Sequence, residues 1–355
     1  MTTYINMRDY KTMDFWFTDG NIVLLAGDVA FKVHRGQLIR HSEIFRDMFS
    51  LPQPMDETVD GCAWVVLHDD PSDFLHLLRA LYDGLYFPRP SSGDFCALSA
   101  VLRLSYKYLI EHLQTRCLRR LEADWPAALP GWDCREAQAT ADMRYSPREH
   151  FPHPVHLIRL AQELRLDHLL PAAYYDLSRY GPRKIAAGAS PLPPSLPVTS
   201  APPPSAPPAN IRLAHADLHA TFVGREAGQR FLATFIDREL ATRPISAGCA
   251  NRAHGDGHHC RESYYFIMLN LLRAVSGIAT GRDADPLFSL AQASEMLGRT
   301  DFSDGTRQCG LRICGACKED FAGAVASARR EAWEMVPVWF GLRGVPVGPK
   351  AKRSK

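Results

Sequence analysis

The chain has 355 residues, 46% of them hydrophobic and 23% charged, and a formal net charge of +2 at pH 7. That length allows one to three domains, and the composition is ordinary for a soluble globular chain. The balanced charge gives no reason to expect bulk binding to nucleic acid or a membrane surface, and no apolar run is long enough for a membrane span. The opening residues, MTTYINMRDYKTMDFW, lack the apolar core and cleavage site of a signal peptide. A cytoplasmic or nuclear location, not a secreted one, is therefore expected. The nine cysteines are read as reduced thiols, and their clustering late in the chain raises the question of a metal.

Residues 1–13 are polar and read as a flexible leader. Ile22 to Val33 holds two β-prone runs around a Gly-Asp turn, a hairpin signal. Val29, Phe31 and Val33 fall on one face of the second run and Lys32 on the other. Leu38, Ile39, Ser42, Phe45, Met48 and Phe49 then recur at helical spacing. Ser42 followed by Glu43 and Asp47 suits a helix start, and Pro52 and Pro54 stop that helix. Cys62 to Leu67 is strand-like. Asp70-Pro71 opens a helix whose apolar face is Phe74, Leu77, Leu78 and Leu81. Two further helices are expected within residues 94–123.

After Trp125 the pattern breaks at Pro126, Pro130 and Gly131, so residues 126–146 are read as a linker. A helical domain is expected over 147–345. Ile158, Ala161, Leu164, Leu169, Leu170, Ala173, Tyr174 and Leu177 keep the helical period, and Asp167 can cap a helix with Pro171 in its first turn. Residues 185–208 hold nine prolines and no charge, and read as an extended, disordered insert. Helices resume at about 211–240, 261–279, 285–297 and 315–336, with Asp285-Pro286 as another cap-plus-proline start. Residues 346–355 form a basic tail, read as disordered.

The first 125 residues resemble the BTB/POZ domain. The residues that carry the likeness are Asp19 ahead of Ile22-Val23-Leu24, then Phe31-Lys32-Val33-His34-Arg35, Leu38, His41-Ser42, Phe45, Met48-Phe49, Val65 with Leu67, Phe74, Leu77-Leu78 and Tyr82. Each is weak alone, and the ordered set is specific. The rest resembles the helical half of fungal BTB proteins, through IRLAQELRLDHLLPAAYYDLS, a late Cys-x-x-Cys, Trp333, Pro337 and Phe340-Gly341-Leu342. The resemblance implies an α+β BTB/POZ fold over 14–125, a small sheet flanked by helices, followed by an all-α domain. It implies self-association and partner binding, and no enzyme.

Asp19, His34 and Ser42 form a nominal hydrolase set, but Ser42 lies outside any Gly-x-Ser-x-Gly elbow, and scaffold roles fit all three better. No catalytic residue is assigned. Met55-Asp56-Glu57 has the hydrophobic-x-Glu form that helps BTB adaptors dock cullin-3, with Met55 filling an apolar pocket and Glu57 meeting basic groups at its rim. A solvated loop is the alternative. Phe15, Trp16 and Phe17 are the candidate anchors of a homodimer, which would need an interface of roughly 1,600 Å².

Cys314-x-x-Cys317 has the spacing of a zinc half-site, and Cys249 with Cys260 can supply the other half. His254, His258, His259 and Cys309 also lie nearby in sequence. The alternative is that these cysteines are small core residues. A catalytic zinc is disfavoured, because no His-Glu-x-x-His occurs. The proline tract contains Pro191-x-x-Pro194, Pro194-x-x-Pro197 and Pro204-x-x-Pro207, spacings of SH3-type ligands, although a plain linker has the same composition. Lys350-Ala351-Lys352-Arg353 reads either as a nuclear import signal or as a solubilising tail. The reading is a self-associating scaffold or adaptor with an unidentified partner for its helical domain. The rivals are a cullin-3 substrate adaptor and a nuclear regulator.

Overall fold

The first 124 residues are built around a sheet whose two central strands are apolar on both faces. The computed structural model describes residues 11–51, 58–84, 92–141, 144–192, 209–253, 255–275, 285–303 and 308–342. The Met55–Glu57 triplet, His254, most of the proline tract and the basic tail lie outside the described residues. The chain folds into two compact units. The first comprises residues 1–124, 138–152 and 191–208, and the second residues 125–137, 153–190 and 209–355.

In the first unit, strands β1 (Lys11–Trp16), β2 (Ile22–Ala26), β3 (Val29–Val33) and β4 (Ala63–Leu67) form one sheet in the order β1-β3-β2-β4. The β2–β3 hairpin turns at Gly27, whose φ of 56° suits glycine. β1 runs parallel to β3, with Lys11 opposite Val29 and Thr12 opposite Ala30. Lys11 to Met13, expected in a loose leader, therefore belong to the sheet, because the free edge of β3 offers them backbone partners. Every residue of β2 and β3 is buried. Lys32 is buried too, and its ammonium reaches Asp60 at 2.7 Å and so stays paired.

Helices α1 (Arg35–His41), α2 (Glu43–Ser50), α3 (Pro71–Tyr82), α4 (Phe95–Lys107) and α5 (Glu111–Asp124) complete this unit's main body. Two of the helix starts are built by side chains: Ser42 accepts from the Phe45 amide, and Asp70 accepts from the Ser72 and Asp73 amides. Phe31 and Phe74 meet at 5.5 Å and Phe45 stacks on Tyr108 at 4.3 Å, so sheet and helices share an aromatic core.

The stretch expected as a linker holds helix α6 (Leu129–Gln138) and a short hairpin of β5 (Thr140–Ala141) and β6 (Arg144–Tyr145), and the one-turn helix α7 (Pro147–His150) follows it. Pro130 does not break α6, because it stands in the first turn, where its missing N–H is not needed. Gly131 is required by proximity: a Cβ there would lie 2.7 Å from Cβ of Pro126.

The second unit is helical: α6, α8 (Pro154–Leu164), α9 (Leu170–Ser178), α10 (Pro182–Ala187), α11 (His215–Ile236), α12 (His258–Val275), α13 (Pro286–Met296) and α14 (Gly315–Trp339), with a short hairpin of β7 (Phe302–Ser303) and β8 (Gln308–Cys309). Asp285 caps α13 by accepting from the Phe288 amide at 3.0 Å. Asp167 starts a 3-10 turn and makes no side-chain cap. The proline insert begins later than residue 185. Ile185 is buried in α10, and Ala189 bridges Ile211, so the two ends of the insert are held together. The residues from 185 to 190, Ile-Ala-Ala-Gly-Ala-Ser, contain no proline and can fold. No helix among the described residues is long and apolar enough to cross a membrane.

A buried ionic network ties this unit together. Arg135 of α6 reaches Asp176 of α9 at 2.7 Å, and Arg179 reaches Asp176 at 2.7 Å, Glu136 at 2.7 Å and Asp285 at 3.0 Å. Both guanidinium groups also lie over the Trp132 ring. Tyr175 donates to Asp285 at 2.7 Å, and burial followed by that carboxylate pushes its hydroxyl well above the usual phenol range. Asp176→Ala would leave two buried guanidinium groups short of a carboxylate. It should cost about 3–5 kcal/mol in urea unfolding, whereas Asp237→Ala, on an exposed residue of the same unit, should change stability by less than about 0.5 kcal/mol.

Candidate functional site

Among the described residues, each unit has a place that brings chemistry-bearing residues together. In the first unit, the nominal triad is not assembled. Ser42 donates its hydroxyl to the Tyr108 carbonyl at 2.6 Å while accepting from the Phe45 amide at 3.1 Å. His34 is held between Tyr82, whose hydroxyl lies 3.1 Å from Nδ1, and Asp19, 3.2 Å from Nε2. The Tyr82 hydroxyl also accepts from the His34 amide at 2.9 Å. These polar groups close the first helical turn and the end of β3, and Ser42 has no contact with a base.

Of the expected dimer anchors, Phe15 is buried against Tyr82 and Phe17 of its own chain, at 5.5 and 6.0 Å. Trp16 is partly buried against the face made by Val23, Leu25, Ala30 and Val59. Phe17 is partly exposed and stacks on Tyr82 at 5.2 Å. An open groove lies at the start of α2, lined by Arg40, His41, Arg46, Leu109 and His112. Leu109 is half exposed and holds a φ of 52°, an uncommon conformation for a branched side chain. Nothing in the sequence pattern marked this groove, because its residues come from segments about 65 positions apart that only the fold brings together.

The second place is a cluster of four thiols. Cys249, Cys260, Cys314 and Cys317, the four cysteines singled out by spacing, have sulfurs that all lie within 4.8 Å of one another. Cys249 Sγ stands 3.7 Å from both Cys260 Sγ and Cys314 Sγ. Local structure explains the convergence. Cys314 is the N-cap of α14 and Cys317 sits in its first turn, so Cys-x-x-Cys puts both sulfurs on one side of a helix start. Cys260 sits in the first turn of α12. The chain between Cys249 and Cys260 folds back through three successive positive φ values, at Gly255, Asp256 and Gly257. At Gly257 a Cβ would also lie 2.6 Å from the Ile245 side chain, so glycine is needed twice over.

Polar hydrogens point at these sulfurs. The Cys314 amide donates to Cys260 Sγ at 3.4 Å, the Ser246 amide to Cys317 Sγ at 3.4 Å, and the Asn251 side chain to Cys260 Sγ at 3.2 Å. Burial pushes Cys317 up to about 12 and raises Cys260 as well. At Cys314 burial also opposes ionisation, but the backbone groups of Cys317 and Ala250 and the neighbouring thiols outweigh it and draw the thiol down to about 6. Of the other nearby candidates, His258 is exposed, and His259 lies beside it with Glu262 in a separate surface group. Cys309 lies in β8.

A small mixed sheet with helices packed against it, its polar side chains engaged in capping and pairing, defines the class of the first unit as a small α+β domain. Residues 17–124 match the family model for the BTB/POZ domain, so the chain carries a BTB/POZ domain, a protein-interaction module, at its N-terminal end. No curated protein matches the chain. Ser42→Ala should lower stability by about 1–2 kcal/mol, through loss of the helix cap and of the bond to the Tyr108 carbonyl. Ser42→Thr, which keeps the hydroxyl, should recover part of that in the same thermal denaturation series.

Proposed function

We propose that this protein is a non-enzymatic scaffold or adaptor that self-associates through its BTB/POZ domain and carries a partner site in its helical unit. The match over residues 17–124 carries the reading, since BTB domains commonly self-associate. The position of β1 supports it. β1 forms one edge of the four-stranded sheet, and among the described residues no strand lies on its outer side. An edge strand offers a row of unpaired N–H and C=O groups, which a second copy can meet by a two-fold pairing. Trp16 and Phe17, at the end of that edge, add apolar surface that is not fully covered within one chain. Phe15 contributes by packing the strand down from inside.

Light scattering at micromolar concentration should return twice the 39.7 kDa chain mass. Trp16→Ala should shift the population toward monomer while circular dichroism stays unchanged. A wild-type protein that is monomeric at every concentration would remove self-association from the reading.

A second reading, a substrate adaptor for cullin-3, is favoured by two exposed leucines of the first unit. Leu51 follows α2 and leads toward Met55 and Glu57, and Leu109 borders the groove at the start of α2. Exposed apolar anchors beside charged groups are the usual makings of a docking surface. In a pull-down with purified cullin-3, the wild type should be retained and Glu57→Ala should bind at least about tenfold more weakly, a loss of about 1.4 kcal/mol. Equal absence of binding by both proteins would leave the scaffold reading alone.

A further inference from the structure

We propose that Cys249, Cys260, Cys314 and Cys317 bind one Zn²⁺ ion as a closed, structural Cys₄ centre that clamps the starts of α12 and α14 to the loop between residues 242 and 257. The proposal concerns the helical unit alone and does not depend on the BTB reading.

The geometry comes first. Zinc–sulfur bonds of about 2.3 Å in a tetrahedron put neighbouring sulfurs roughly 3.8 Å apart. The two measured separations from Cys249 are both 3.7 Å, and all four sulfurs fall within 4.8 Å of one another. The sulfurs arrive from three separate stretches of chain, the loop and the starts of α12 and α14, and still fall within bonding reach of one ion. Four thiolates fill a tetrahedral ion's coordination sphere, with no position left for water or substrate, which makes the centre structural and not catalytic.

Charge is the second argument. Each thiol gives its proton to solvent on binding, and Zn²⁺ with four thiolates carries a net charge of −2. The site is arranged to bear it. Two helices, of 18 and 25 residues, begin at the cluster with their positive ends. Three N–H donors point at Cys260 and Cys317, the two most buried sulfurs. A neutral thiol is a weak acceptor with little use for such donors, whereas metal-bound thiolates are oriented and stabilised by them. Asn251 is itself fixed by a second bond, from its side-chain amide to the Arg312 carbonyl at 2.9 Å.

The competing role, small side chains filling a core, accounts for Cys260 and Cys317, which are fully buried. It does not account for Cys314, which is partly exposed and whose sulfur nonetheless turns toward the other three. Nor does it account for the loop from Cys249 to Cys260, which holds positive φ at three residues in a row to bring Cys249 back to the cluster. Of the three only Asp256 is not a glycine and so holds an uncommon conformation, which a metal bond at each end of the loop would keep in place.

The test uses the full chain, expressed in zinc-supplemented medium and purified without chelator. Elemental analysis should give one zinc per chain. X-ray absorption at the zinc edge should show four sulfur neighbours at about 2.3 Å; this needs no variant and so does not depend on whether one folds. The double substitution C314S/C317S should reduce zinc to below about a tenth of an equivalent, and Cys134→Ser, outside the cluster, should leave it unchanged. Zinc below that level in the wild type, iron in its place, nitrogen or oxygen ligands at the edge, or disulfides among the four cysteines in the freshly purified protein would each overturn the proposal.

Discussion

Four buried charged side chains and a fifth that is partly buried, Glu136, hold the helical unit in its arrangement. Arg135, Glu136, Asp176, Arg179 and Asp285 come from α6, α9 and the start of α13, and no one of them is tolerable in the interior without the others. Asp285 illustrates the coupling. One of its oxygens caps α13 and accepts from Tyr175, and the other accepts from Arg179. Moving α13 would therefore draw this carboxylate away from a phenol and a guanidinium at once. The aromatic residues close the network from the side, with Trp132 packed against Tyr175 and Trp333 at 5.3 and 5.4 Å.

The far end of the same unit has a different solution to the same difficulty. Around Cys249 and Cys260 the chain is a loop rich in glycine, histidine and polar residues, with little apolar surface to bury on its own account. It packs through Ile245, Asn251 and the sulfur of Cys249 against the three sulfurs at the helix starts. A zinc centre there would supply by coordination what the loop lacks in hydrophobic contact, much as metals do in small domains. The BTB/POZ unit relies on neither device. Its conspicuous polar residues, His34, Ser42, Asp70 and Lys32, are each engaged locally in a cap, a pair or a turn.

Much of the architecture was legible because its signals are local. Ser42, Asp70-Pro71 and Asp285-Pro286 mark helix starts by hydrogen bonds that span three residues, and the Gly27 turn marks a hairpin within four. The BTB/POZ likeness was legible for a related reason, since it rests on an ordered spacing of apolar and polar positions through the hairpin and first helices. The misreadings came where a local signal has two meanings. Pro126, Pro130 and Gly131 looked like a break, yet Pro130 stands in the one helical turn that tolerates it, and Gly131 is small because Pro126 lies against it. Ile185-Ala-Ala borders the proline insert and shares its lack of charge, although its own composition folds.

Spacing along the chain was enough to mark the capped helix starts at Ser42, Asp70 and Asp285, the BTB/POZ module and four cysteines as candidate ligands. The tertiary structure decided which of the nearby cysteines and histidines share a point in space: four sulfurs from three segments, with His258 and His259 outside. It also decided that Arg135 and Arg179, residues usually found at the surface, sit in the core. Both outcomes depend on distances between segments far apart in sequence. Such distances follow from how helices pack as bodies, and no periodicity within one segment encodes them.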